Sequence, residues 1–370
     1  MSVERSSDEV QRWIRAVLRI LVSGSLFSTA AAEPQREWSR VWGSAAQDVA
    51  LDVAVAPSDG VYVAGWTAGG SVHGQSNPGS RCALLSKYSL EGTHLWTRLW
   101  GSPNSSQASA VSVDGTGAIY VAGGSDAGFD GQQAIGSQDL FLSKFSPSGD
   151  REWTRIWGSS AWDEAAGIDV GPSGQIAVVG RAGGPIDGEA HTGSADLCLS
   201  MFQPDGSRDW SRLWGSPAFD VATGVAVDAS GRAHVCGFTL SAIDGQPHSG
   251  LYDIVVSRFE ADGSRAWTRH RGGPSDQTAG GISIGDDEEI YVAGDTLAGF
   301  NGAPGVGGSD AFLMLVSPMG EARWTRIWGS VGTDFARDTV AAGASVYTVG
   351  KAARDLAFDG EPPAAAALFL

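Results

Sequence analysis

Short runs of apolar and β-branched residues, four to eight long and alternating with polar positions, recur through the chain, and no stretch shows a sustained 3.6-residue period. That pattern predicts strands and argues against helices. Between two Trp-rich motifs the runs fall at residues 108–113, 118–122, 139–145 and 152–157. The first pair is joined by Asp114-Gly115-Thr116-Gly117 and the last pair by Ser146-Pro147-Ser148-Gly149-Asp150. Both linkers are tight-turn chemistry, because glycine supplies the left-handed backbone that hairpins need. The middle pair is separated by about 16 Gly-rich residues, long for a plain connection and therefore a candidate for binding.

The same layout repeats. Trp-Ser/Thr-Arg-x-Trp-Gly occurs at residues 38–43, 96–101, 153–158, 210–215 and 324–329, with a degenerate copy at 267–272 where His270-Arg271 stands in place of the second Trp. The motif starts are spaced 58 residues apart once and 57 thereafter. Independent domains would not keep such a period, so residues 33–370 are expected to form one tandem array. Four antiparallel strands per unit match one blade of a β-propeller. In the first strand of a unit, Ala222, Gly224 and Ala226 make one small face and Val225 and Val227 the other, as an innermost strand squeezed between two blades requires. The sixth unit stops at its third strand (residues 367–370), whereas residues 37–42 are a fourth strand with no preceding three. The expectation is therefore an all-β, six-bladed β-propeller with four antiparallel strands per blade, the ring closed by the N-terminal strand completing the C-terminal blade. Closure of that kind leaves no exposed sheet edge.

The pattern Ala-x-x-Ile/Val-x-Val-Asp-x-x-Gly-x-Ile-Tyr-Val-Ala-Gly, then Asp-Gly-Gln, then Gly-Ser-x-Asp-x-Phe-Leu-x-Lys-Phe, resembles the bacterial β-propeller repeat (SBBP) of exported and surface proteins across residues 38–370. The resemblance implies the fold and implies little about function. The first unit departs from the pattern at His73 and Cys82, and the fifth at His270-Arg271.

Composition narrows the partners. Lys and Arg number 25 against 42 Asp and Glu, a net charge of −17, which repels nucleic-acid backbones and anionic lipid. No segment has the roughly 18 consecutive apolar residues of a transmembrane helix. Residues 1–32 carry Arg5, Arg12, Arg15 and Arg19, then an apolar run from Ile20 to Phe27, then Ala30-Ala31-Ala32, the order of a secretory signal. Export is the expected fate, a short disordered extension the alternative. Cys82, Cys198 and Cys236 are too few and too scattered for a disulfide framework or a cysteine metal site, and are expected as small buried hydrophobes. The array is expected to be monomeric.

Residues present in every unit are expected to serve the blade. Eleven of the 14 Trp belong to the repeated motif, and burying one is worth roughly 4–6 kcal/mol as an upper value. The Arg between each pair is placed to stack on the flanking rings. Strand direction puts the approaches to first strands and the long loops on one face. That face collects Asp48, Asp163, Asp220 and Asp334 before first strands; Asp130, Asp187, Asp244 and Asp359 in Asp-Gly steps; and Asp139, Asp196, Asp253 and Asp310 before third strands. Two readings stay open: each carboxylate caps its own turn, or some hold Ca2+ with loop carbonyls, for which Asp130, Asp187, Asp244, Asp359, Asp163 and Asp220 are the candidates. Unrepeated residues on the same face are Trp162 and Phe219 near the channel mouth, Arg181 and Phe238 just after second strands, and His191 and His248 four residues beyond Asp187 and Asp244. Aromatics with polar flanks suit a sugar or a peptide side chain.

No zincin motif or phosphate loop is present. The favoured reading is an exported, non-catalytic propeller that binds carbohydrate, peptide or a surface protein through its acidic loop face. A purely architectural domain is the first alternative. A hydrolase using carboxylates such as Asp163 and Asp220 is the second.

Overall fold

The computed structural model describes residues 38–343, 345–353 and 367–369. Those residues are all-β, with no helix among them. The first sheet contains β1 (Asp48–Ala56), β2 (Gly60–Thr67), β5 (Cys82–Tyr88) and β6 (His94–Trp100), with a small hairpin of β3 (Ser71–Val72) and β4 (Gln75–Ser76) inserted in its long loop. The second is β7 (Ser106–Val113), β8 (Ile119–Ser125), β9 (Asp139–Phe145) and β10 (Arg151–Trp157). The third is β11 (Glu164–Val170), β12 (Ile176–Ala182), β13 (Asp196–Phe202) and β14 (Arg208–Trp214). The fourth is β15 (Asp220–Val227), β16 (Ala233–Thr239), β17 (Asp253–Phe259) and β18 (Arg265–Arg271). The fifth is β19 (Gln277–Ile284), β20 (Ile290–Thr296), β21 (Asp310–Val316) and β22 (Ala322–Trp328). The sixth has three strands, β23 (Phe335–Ala342), β24 (Ser345–Ala352) and β25 (Ala367–Phe369).

Every sheet is antiparallel and meandering, so the two tight-turn predictions per unit hold in the five four-stranded sheets. The innermost strands contact one another in sequence order, β1 to β7, β7 to β11, β11 to β15, β15 to β19 and β19 to β23, which is the arrangement of propeller blades. Each innermost strand carries a bulge at the same place, between Ala50 and Asp52, Ala108 and Ala110, Ala165 and Gly167, Ala222 and Gly224, Ala279 and Gly281, and Ala336 and Asp338. A bulge sharpens the local twist that each blade needs. Between the fourth and fifth sheets the approach is close: a Cβ on Gly224 would lie 3.3 Å from the Gly281 Cα, with Cys236 Sγ closer still.

The core lies between sheets. Trp157 of the second sheet stacks edge-on against Phe202 of the third, ring centroids 4.7 Å apart, and donates from Nε1 to Ser200 Oγ at 3.0 Å. Trp214 repeats the contact with Phe259, and Trp100 with Phe145. The motif Arg does two jobs. Arg155 stands 5.1 Å from the Trp153 ring centroid and donates from Nε to Gly206 O in the next sheet at 3.0 Å; Arg98 and Arg212 do the same toward Gly149 and Gly263. The repeated residues thus fasten each blade to its neighbour, which is why a strict period persists. Cys82, Cys198 and Cys236 are free and buried, and burial pushes each thiol up to about 12.

Residues 38–42 run against the first sheet without joining a ladder, and the sixth sheet ends at β25 among the described residues. The expected strand pairing between the two ends of the chain is therefore not formed there. Residues 1–32 and Asp359 lie outside the described residues.

Candidate functional site

The approaches to the first strands and the starts of the third strands meet at one rim, joined by bridges such as Gln138 with Trp162 and Ala195 with Phe219. Most of the Asp residues there are committed to their own loops. Asp163 is fully buried; its Oδ2 accepts the Ser159 N–H, and its Oδ1 accepts Ser159 Oγ–H at 2.9 Å and Gly183 N–H at 2.9 Å. Asp220 likewise takes Ser216 N–H at 2.6 Å and Ser216 Oγ–H at 3.0 Å. Burial raises the pKa of both carboxyls, and the hydrogen bonds pull against it. Where the residue differs the task survives: Gln277 Oε1 takes Gly273 N–H at 2.6 Å, and Ser106 Oγ takes Ser102 N–H at 2.9 Å.

The Asp-Gly steps do not stand on the rim. Asp130, Asp187 and Asp244 adopt left-handed backbone, φ of 53°, 53° and 52°, and their long loops fold down along the outer strand of the sheet. Asp130 pairs with Arg151 Nη2 at 2.5 Å and accepts Thr154 Oγ–H at 2.7 Å. Asp187 pairs with Arg208 and Ser211, and Asp244 with Arg265. A carboxylate already balanced by a guanidinium attracts Ca2+ weakly, and these three face separate blades rather than one cavity.

The unrepeated residues are gathered differently from a simple aromatic pair. Arg181 lies between Trp162 and Phe219, its guanidinium carbon 3.9 Å and 5.4 Å from their ring centroids. Trp162 remains 49% exposed, leaving one indole face to solvent. Arg181 Nη2 donates to Glu164 Oε2 at 3.0 Å, and Glu164 Oε1 accepts the Gln107 side-chain amide. Gln107 Oε1 in turn accepts from Arg81, whose guanidinium covers Trp66 at 4.2 Å. Leu51, Gln107, Ser109, Glu164, Ala166, Arg181 and Val221 line a cavity of about 310 Å³ across the innermost strands β1, β7, β11 and β15. Phe238 is not part of this group; it packs edge-on against Tyr252. His191 sits close enough to Asp163 and Asp196 to favour their ionised forms, and its Nε2 is buried without a partner.

Deeper in the channel the pattern of small residues is broken by acids. Asp52 on β1, Asp169 on β11 and Asp338 on β23 accept backbone N–H groups, Asp52 from Val53 at 2.7 Å and Val111 at 2.8 Å, Asp169 from Val170 at 2.9 Å and Val227 at 2.8 Å. Asp52 and Asp169 are half-buried and Asp338 is exposed, so these carboxyls face a lumen that water enters but strands hem in. That confinement raises Asp52 to about 7, with the like charge of Asp338 adding to it, and raises Asp338 to about 6. Sequence reasoning missed this set; an Asp in the otherwise Ala/Gly face of a first strand was the available signal.

On the fourth sheet, His248 from the long loop and His270 from β18 converge on Asp253 of β17. His248 Nδ1 and His270 Nε2 each lie 3.2 Å from Asp253 Oδ2 and 3.4 Å from one another. Asp253 and the His270 side chain are 1% exposed. Oδ2 also accepts Ser249 N–H at 2.7 Å, whereas Oδ1 has no partner, nor has His270 Nδ1. Burial lowers the His270 pKa against the pull of Asp253, so its ring is neutral near pH 7. The partner of His248 is therefore His270 of its own sheet.

No family model matches the chain. Over 331 residues it is 24% identical to the regulatory protein FlaEY of Caulobacter vibrioides, covering 78% of this chain and 34% of that protein. The chain thus spans about a third of that relative's length. Among solved structures, it is similar to a Dyadobacter fermentans protein of unknown function, with a TM-score of 0.50 and 11% identity over 85% of this chain and 92% of that one. The Neurospora crassa Pan2 WD40 domain gives a TM-score of 0.44 at 10% identity, covering 81% and 85% of the two chains. Polysaccharide lyase Uly1 gives 0.46 at 11% identity, covering 87% and 80%. At such identities these are likenesses of fold alone. Successive four-stranded antiparallel sheets around shared inner strands make the chain a β-propeller domain.

Proposed function

We propose that the chain is an exported, closed six-bladed propeller of the SBBP type that binds an oligosaccharide at its channel mouth. Two contacts support closure. Trp38 donates from Nε1 to Leu90 O at 2.8 Å, the same inter-blade bond that Trp210 makes to Ala261, so residues 38–42 occupy the fourth-strand position of a blade preceding the first. Asp338 also lies near enough for its like charge to raise the Asp52 carboxyl, which supports a lumen shared by the first and last inner strands. Export rests on the Arg-rich, Ala-ending stretch of residues 1–32.

The observation that carries the binding role is Trp162, exposed at 49% although its other face is held against Arg181. An indole held rigid by a guanidinium offers a flat apolar platform, and the Arg181–Glu164–Gln107 hydrogen-bonded row beside it offers polar groups at its edge. The adjoining cavity, which shares Arg181, Glu164 and Gln107 with this group, adds Leu51 and Val221 as apolar lining. Catalysis is not supported by Asp163 and Asp220, whose oxygens are occupied by backbone and serine donors. The test is a glycan array probed with the intact protein, followed by calorimetry on the best hit. Trp162→Ala should remove binding while the melting temperature stays within a few degrees. Binding unchanged in that variant, or no glycan bound at all, refutes the reading and leaves the architectural one.

A further inference from the structure

We propose that His248, Asp253 and His270 form a binding site for a divalent first-row transition metal, Zn2+ above all, with a fourth coordination position open. The inference is independent of the oligosaccharide reading, which concerns a different blade and face. Three ligand atoms separated by 3.2, 3.2 and 3.4 Å match one face of a tetrahedron. Bonds of about 2.0–2.1 Å, as Zn–N and Zn–O bonds are, give tetrahedral edges of about 3.3 Å. The donors are of the right type as well, two imidazoles and a carboxylate, a set that suits Zn2+ and not the all-oxygen shell of Ca2+ or Mg2+.

A second observation points to a missing ligand. Asp253 Oδ1 is buried and unpaired, although its neighbour Oδ2 is approached by three nitrogens. Two imidazole nitrogens facing each other at 3.4 Å share at most one proton, and a metal replaces that proton and binds both lone pairs. The group is also held in advance. His270 is fixed on β18, and the loop bearing His248 is tied to the same strand by Gln246, whose Oε1 accepts His270 N–H at 3.1 Å and whose Nε2 donates to Thr268 O at 3.0 Å.

The site is particular to one unit. In the third sheet the corresponding residues are His191, Asp196 and Leu213, so one ring is lacking, and His270 itself stands where the other units carry Val, Leu or Ile. A histidine substituted into a buried apolar strand position is otherwise only a cost.

The experiment uses the full chain, stripped with chelator and titrated with Zn2+ by calorimetry, with metal content measured after dialysis and Co2+ as a spectroscopic probe. One equivalent should bind, and Co2+ should show the intense visible bands of four-coordinate geometry. His270→Leu restores the residue type of the other units and therefore keeps the blade. It should weaken binding at least as much as the tenfold to hundredfold typical of outer-shell changes. His248→Ala should do the same, and His191→Leu should leave affinity unchanged. No stoichiometric binding, binding retained in both His248→Ala and His270→Leu, or binding lost in His191→Leu would each overturn the assignment.

Discussion

Asp52 provides the most direct test of how the channel is built. Its carboxyl is raised from 3.8 to about 7 by enclosure, with Asp338 contributing. At 1.36 kcal/mol per pKa unit, a shift of about three units corresponds to at most about 4 kcal/mol. Water in the lumen screens part of this, and halving it leaves about 2 kcal/mol. The sign follows from proton linkage: the folded state holds the proton more tightly than the unfolded chain, so stability is full below about pH 4 and is lost as pH rises through about 7. Asp52→Asn removes the titration while preserving an acceptor toward Val111 or Val53. The variant should match the parent at pH 4 and exceed it by about 2 kcal/mol at pH 8. Urea denaturation midpoints at pH 4, 6 and 8 read the difference, and Asp338→Asn should lower the Asp52 midpoint by removing the like charge. Parallel stability profiles for parent and Asp52→Asn would refute the confinement argument. An Asp52 titration indifferent to Asp338→Asn would refute the shared lumen, and with it ring closure.

Two further substitutions separate the inter-blade ties from the loop clamps. Trp157→Ala removes a side chain 3% exposed together with its bond to Ser200, and should cost about 3–5 kcal/mol, measured as a fall in thermal midpoint with loss of cooperativity between blades. Asp163→Ala leaves the Ser159 and Gly183 N–H groups without their acceptor and should cost about 2–4 kcal/mol, with local amide exchange at those two residues as the readout. An Asp163→Ala protein as stable as the parent would show that the carboxylate is not a clamp.

The repeat made the blades legible because each recurring residue answers a recurring geometric need. Trp157 and its equivalents fill the wedge between sheets, Arg155 and its equivalents reach the next turn, and Gly224 lets inner strands approach. A period of 57 residues therefore encodes packing, and the strands expected at 139–145 and 152–157 lie within a residue of β9 and β10. Trp162, Phe219 and Arg181 were visible as departures from that period, and the structure joins them through the guanidinium rather than ring to ring. What periodicity could not supply was radial position. It assigned Asp130 and its equivalents to the rim, but a loop of this length lies more favourably along the outer strand, where Arg151 and Thr154 satisfy the carboxylate. For the same reason periodicity does not reveal that the imidazole beside His248 is His270, 22 residues on in the same sheet. Equivalent positions on neighbouring blades diverge with distance from the axis, whereas a long loop folded onto its own outer strand brings residues of one unit within bonding distance. Chemistry in such an array is thus to be sought where a long loop and its own outer strand converge, as His248 and His270 do on Asp253 in the fourth sheet.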